Sequence, residues 1–279
     1  MALTLMYITN RPEIAKVAET AGVDRIFVDL EYIGKSERQR GMDTVQSLHS
    51  LDDVKRISET ISTAELLVRI NPIHDAFDAV LSTEEEIDIA IANGADILML
   101  PYYKTVEEVR RFLSAVRGRV KTMLLLETPE AVRILDETLC IEGVDYIHIG
   151  LNDLSLGYGK KFMFELLTDG TVETLCTKLR CAGVQYGFGG IAALGKGMIP
   201  AEMIIREHYR LGSRCAILSR SFCNAEKISS VELMAEIFKK GIRDIREFEK
   251  VCSCIGNDEL LSNSIEIAKR VKLICEEMK

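Results

Sequence analysis

The chain has 279 residues, 47% of them apolar and 28% charged, enough to bury one large core or two modest ones. Its formal net charge of −8 argues against a nucleic-acid binder, which carries a basic face, and no run reaches the roughly 18 to 20 apolar residues of a membrane span. The opening MALTLMYITNRPEIAK lacks the basic, apolar and small-residue succession of a secretory signal, so the eight scattered cysteines are expected to be reduced thiols of a cytoplasmic protein.

Eight short apolar runs alternate with amphipathic stretches along the chain. Leu3–Ile8 leads to a helical pattern at Arg11–Ala21, Arg25–Leu30 to Leu51–Ile61, Leu66–Ile70 to Glu84–Asn93, and Ile97–Leu100 to Val106–Val116. Thr122–Leu126 then leads to Pro129–Leu139, Tyr146–Ile149 to Val172–Ala182, Gln185–Phe188 to Ala201–Leu211, and Cys215–Leu218 to two further helical stretches, Val231–Phe248 and Asp258–Met278. The strands are too uniformly apolar to alternate, as parallel strands covered on both faces should be. Turns containing glycine (AGVD, NGAD, EGVD, AGVQ, LGSR) stop five helices just before the next strand.

This order predicts a single (β/α)8 TIM barrel over 1–279, with extra C-terminal helices. No G-x-G-x-x-G follows the first strand, which disfavours a dinucleotide-binding sheet. The lone pair Cys252 and Cys254 lacks the partners of a zinc site. Apolar stripes on the last two helices (Val231, Leu233, Met234, Ile237, Phe238; Leu260, Leu261, Ile265, Ile267, Ala268) exceed what closing a barrel needs. The segment from about residue 225 is therefore expected to pack on a neighbouring subunit of a homo-oligomer.

Barrel chemistry sits where strands end, and charged residues stand there. Asp29 and Glu31 follow the second strand, Arg69 ends the third, Glu127 ends the fifth and Asp153 follows the sixth. Two rim carboxylates plus waters suit a hard divalent cation, so Glu127 and Asp153 are the candidate ligands for magnesium or manganese. Arg69 would be costly at the end of an apolar strand unless paired; it is expected to face this site and bind a substrate carboxylate or enolate oxygen, with pairing to a core carboxylate as the alternative. The amides of Gly150, Leu151 and Asn152 could hold a carboxylate. The glycine-rich YGFGGIAALGKGMIP, with Gly189 and Gly190, and Arg220 between Ser219 and Ser221 could bind the phosphate or acidic tail of a longer substrate.

The stretches DRIFVDLE, LLVRINP, GADILMLP, LLLETPEAV and GVDYIHIGLNDLSLGYG, between about Gly22 and Gly159, resemble the HpcH/HpaI aldolase and citrate lyase family in order and spacing. That resemblance implies metal-dependent cleavage or formation of a carbon–carbon bond through a pyruvate-type enolate, on a small 2-oxo acid. In its terms Glu127 and Asp153 hold the metal, Arg69 steadies the enolate, and the amides before Asp153 bind the carboxylate. A citryl- or malyl-CoA type lyase and a catalytically altered 2-oxo-acid-binding barrel are the alternatives.

Three positions depart from the family pattern. Tyr32 stands where aldolases of the family often carry a histidine, Ala92 where its supporting aspartate belongs, and Leu125 replaces a glutamine. The loop after strand two offers Lys35, Arg38, Gln39, His49 and Asp53 as substitutes, and His49 is expected to act as the general base. His74 is a weaker candidate, His148 a structural residue within a strand, and His208 part of a helix outside the barrel.

Overall fold

The computed structural model describes residues 2–35, 49–224, 227–228 and 230–278. Eight parallel strands close a barrel in chain order: β1 (Thr4–Ile8), β2 (Arg25–Asp29), β3 (Glu65–Arg69), β4 (Ile97–Leu100), β5 (Lys121–Leu126), β6 (Tyr146–Ile149), β7 (Gln185–Ile191) and β8 (Cys215–Leu218). β8 pairs back to β1, with Thr4 opposite Cys215.

The surrounding helices are α1 (Pro12–Ala21), α2 (Leu51–Ser58), α3 (Thr83–Ala92), α4 (Val106–Val116), α5 (Pro129–Arg133), α6 (Leu135–Thr138), α7 (Leu151–Gly157), α8 (Glu165–Thr168), α9 (Thr171–Cys181), α10 (Ala201–Leu211), α11 (Val231–Cys252) and α12 (Asn257–Glu277). The single helix expected over Pro129–Leu139 is two short ones, divided at Ile134. The glycine stops behave as their chemistry requires: Gly22 and Gly212 take φ of 98° and 71°, a left-handed geometry that a side chain would strain.

The barrel interior is filled by Met6, Phe27, Leu67, Ile97, Met99, Met123, Leu125 and Cys215, and the larger core lies between strands and helices. At the lower end, the rim where strands begin, Arg25 pairs with Glu65 at 2.8 Å and stacks over Tyr146 at 4.3 Å. Polar closure at that end leaves the opposite rim as the open one.

Of the two C-terminal helices, α11 buries Met234, Phe238, Ile242 and Ile245, packs on α1 and α10, and so completes the helical ring between β8 and β1. α12 lies outside that ring on α10 and α8, burying Leu260, Ile267 and Val271, while Leu261 and Ile265 on α12 and Leu233 on α11 stay exposed. No helix among the described residues is long and apolar enough to cross a membrane.

One buried carboxylate fixes how β3 begins. Glu19 on α1 accepts the backbone N–H groups of Ser62, Thr63 and Ala64 at 2.6, 2.6 and 3.0 Å, and Lys16 donates to it at 2.7 Å. Burial works against the ionised form, but Lys16 and the three amides outweigh it and hold the carboxyl well below the usual range. Glu19→Ala should cost about 3 kcal/mol at pH 7, because three amides lose a charged acceptor. A group with a lowered folded-state pKa stabilises above its unfolded pKa of about 4.5 and loses that contribution as pH falls. Urea unfolding of both proteins should therefore show the gap narrowing below about pH 4; a pH-independent gap would contradict the ionised role.

Candidate active site

The rim where the strands end opens into a cavity of about 860 Å³. Asp29, Arg69, Glu127 and Gly150 stand on its floor, one from the end of each of β2, β3, β5 and β6, because inward-facing positions recur every second residue along a strand. Met99, Leu125 and His148 also line it.

Arg69 spends its fork on Asp29: Nε donates to Oδ1 at 2.8 Å and Nη2 to Oδ2 at 2.7 Å, while Nη1 lies 3.4 Å from Glu31. Lys35, more deeply buried than Arg69, places Nζ 2.8 Å from Asp29 and 3.5 Å from Glu31. Burial opposes ionisation of Asp29, yet the charges of Arg69 and Lys35 hold its carboxyl well below the ordinary range. The alternative reading of Arg69, pairing to a core carboxylate, is thus what this state shows, although the guanidinium also lines the cavity beside the rim acids. Its expected contact with substrate would require the fork to be shared or exchanged.

Glu127 is in the opposite situation. Burial and the negative charges of Glu31 and Asp153 drive its pKa well above the usual carboxylate value, against the pull of Arg69 and of the Tyr102 N–H, which donates to Oε1 at 3.0 Å. The carboxylate passes so close to the next strand that a Cβ on Gly150 would lie 2.8 Å from Glu127 Cβ and 2.9 Å from Oε2. Gly150 is therefore required for space. Its N–H is committed to Leu126 O at 3.0 Å, so only Leu151 and Asn152, in the first turn of α7, keep the amide role expected of all three. Asp153 stands in the same turn.

His49 reaches the cavity with its role altered. Nδ1 accepts the backbone N–H of Asp29 at 3.0 Å, which puts the proton of a neutral ring on Nε2. Burial lowers its pKa, with Lys35 and Arg69 adding to the effect and Asp29 and Asp53 opposing it. A neutral ring with Nδ1 occupied donates through Nε2; the geometry does not suit the expected general base.

The remaining candidates separate cleanly. Arg38 and Gln39 lie outside the described residues. Asp53 forms the capping box of α2 with Ser50. His74 spends its ring nitrogens on Pro72 O and Leu81 O at 2.7 and 2.8 Å. His148 is held at Gly189 O at 3.1 Å, and burial pushes it down to about 4. His208 stacks on Phe188 at 3.9 Å, bonds Ser213 at 2.7 Å, and is pushed by burial to about 3. Tyr32 is 52% exposed; Asn71 accepts its N–H and that of Ile33 at 3.0 and 3.1 Å, pinning the turn after β2. Ala92 is an exposed residue at the end of α3.

Gly189 and Gly190 lie within β7, which continues to Ile191 instead of stopping at Phe188, and both line the cavity from the barrel wall. Arg220, Ser219 and Ser221 line the β8 side of the cavity. Sequence reasoning missed the apolar wall formed by the segments after β6 and β7, made by Phe162, Met163, Phe164, Met198, Ile199 and Ile204; no periodicity marks residues that meet only at a rim.

A closed parallel barrel with charged strand ends around one open rim is the architecture of many small-molecule enzymes. The chain matches the HpcH/HpaI aldolase/citrate lyase family over residues 3–186 and belongs to it. A 2-keto-3-deoxy-L-rhamnonate aldolase of Escherichia coli O6:K15:H31 (strain 536 / UPEC) is 24% identical over 212 residues, 64% of this chain and 71% of that one; its counterpart from strain K12 is 26% identical over the same length. Among solved structures, an HpcH/HpaI aldolase from Desulfitobacterium hafniense DCB-2 superposes with a TM-score of 0.61 at 17% identity, covering 88% of this chain and 93% of that one. The citrate synthase SbnG superposes at 0.58 with 14% identity, covering 78% and 86%. These two likenesses establish the fold, and the family places the chain among aldolases and lyases.

Proposed function

We propose that this barrel is a divalent-metal-dependent carbon–carbon lyase that works through a pyruvate-type enolate of a 2-oxo acid. The observation that carries the reading is the charge on the cavity floor. Four carboxylates (Asp29, Glu31, Glu127, Asp153) gather there with Arg69 and Lys35, and burial together with the charges of Glu31 and Asp153 drives Glu127 toward its protonated form. A divalent cation would relieve that crowding, and the carboxylates of Glu127 and Asp153 are the hard oxygen donors magnesium or manganese takes. Among the described residues no group of three or more His, Cys, Asp or Glu side chains is arranged around a metal position, so waters and substrate would complete the coordination. Bound there, the ion would supply Lewis-acid stabilisation of an enolate oxygen.

The chain's own residues supply the rest. Arg69 brings a planar cation to the side of the floor facing Glu127, suited to an enolate oxygen or carboxylate. Lys35 keeps Asp29 and Glu31 compensated if the fork of Arg69 turns to substrate. Leu151 and Asn152 offer N–H groups beside Asp153. His49 Nε2 would donate to the carbonyl oxygen that gains negative charge when the carbon–carbon bond forms. In cleavage, a 4-hydroxy-2-oxo acid loses its hydroxyl proton, the C3–C4 bond breaks to release an aldehyde, and the enolate takes a proton at C3 to become pyruvate. The family relatives' aldolase names support this class of reaction.

A crystal structure with manganese and oxalate, a planar stand-in for pyruvate enolate, tests the arrangement. Manganese on Glu127 and Asp153 with Arg69 turned to oxalate is expected. Manganese elsewhere, with oxalate away from Arg69, would defeat the assignment.

A further inference from the structure

The cavity has two unlike halves. Charge crowds the side built by β2, β3, β5 and the start of α7, and Arg11 and Arg220 line the side where β1 and β8 end. The wall formed after β6 and β7 presents Phe162, Met163, Phe164, Met198, Ile199 and Ile204, side chains without a charge or a strong hydrogen-bonding group. Phe162 and Phe164 are buried and meet edge to face at 5.2 Å. Met198 is delivered by a tight turn: Gly197 has φ of 96°, and a Cβ there would meet Ile199 O at 2.7 Å. Its side chain remains 59% exposed at the cavity rim, where a flexible thioether can adapt to what it covers.

A volume of about 860 Å³ far exceeds what pyruvate fills, so the second half of the substrate must lie beyond the charged floor. Hydroxyls or a phosphate laid against the apolar wall would leave water without gaining partners, whereas an apolar chain gains from leaving it. Arg220 lies on the β8 side of the cavity, not in this wall.

We infer that the substrate is a 4-hydroxy-2-oxo acid whose C4 substituent is an alkyl or aryl chain, not a polyhydroxylated, phosphorylated or acidic one. The inference rests on the lyase reading above, which sets the 2-oxo acid end at Glu127, Asp153 and Arg69; the apolar wall then receives the rest of the molecule.

Calorimetric titration of the manganese-loaded protein with unbranched 2-oxo acids, from pyruvate to 2-oxooctanoate, tests it without requiring turnover. Affinity should rise about two- to fourfold per added methylene, reaching at least about thirtyfold for 2-oxooctanoate over pyruvate. 2-Oxoglutarate and a polyhydroxylated 2-oxo acid should bind no more tightly than pyruvate. Combining Met163→Glu with Met198→Glu should compress the thirtyfold ratio to below about threefold, while Met163→Leu keeps it; should the double variant fail to fold, the wild-type series alone decides. Pyruvate binding with a flat series, or with preference for the acidic or hydroxylated acid, overturns this inference and leaves the lyase reading standing. Failure of pyruvate itself to bind overturns both.

Discussion

Replacing Asp153 with alanine is expected to weaken manganese binding more than about a hundredfold, since a carboxylate that touches the ion matters at least as much as the outer partners whose loss costs ten- to a hundredfold. The same substitution should leave the metal-free barrel as stable as before, or slightly more so. Asp153 raises the pKa of buried Glu127 by like-charge repulsion, and removing it relieves that repulsion. Isothermal titration with manganese and urea unfolding in chelator measure the two effects separately. Unchanged manganese affinity would remove Asp153 from the metal site; lost affinity with a large loss of stability would make it a structural carboxylate.

Arg69 should separate activity from stability in a different way. Arg69→Lys keeps the charge but gives up the two-point contact with Asp29, so kcat/KM should fall about a hundred- to a thousandfold, the range seen when one donor to a developing oxyanion is lost. Stability should drop by about 1.5 to 3 kcal/mol, one charged hydrogen bond. Arg69→Met is the harsher test: Asp29 and Glu31 would then share Lys35 alone in a buried site, costing about 3 to 5 kcal/mol. Activity per folded molecule preserved in Arg69→Lys would leave Arg69 as nothing more than the counter-ion of Asp29.

These two residues also mark how far the sequence could be read. Uniformly apolar runs and glycine stops at Gly22, Gly94, Gly143, Gly183 and Gly212 announce the barrel because both are local consequences of buried parallel strands and of helix ends. The places of Glu127 and Asp153 follow from counting along their strands. What charge at a strand end pairs with is not local: Asp29 and Arg69 are neighbours because β2 and β3 are in register, and Lys35 joins them only because the turn after β2 folds back. His49 shows the same limit. Its partner is a backbone amide twenty residues earlier, and that contact turns an expected base into a donor. Gly150 was legible as an amide and not as the gap through which Glu127 passes, because the crowding comes from another strand.

The most direct test of the account is exchange of pyruvate methyl protons in deuterated water, followed by proton NMR with and without manganese. Enolate formation needs pyruvate, the metal on the charged floor and a base, water included, to take a methyl proton, so the unknown aldehyde partner does not enter. Manganese-dependent exchange is expected in the wild type, abolished in Asp153→Ala and persisting in His49→Ala, because a donor aimed at the aldehyde oxygen is not needed to enolise pyruvate. Absence of exchange in manganese-loaded wild-type protein that binds pyruvate would contradict the lyase account and leave a barrel that holds a 2-oxo acid without activating it.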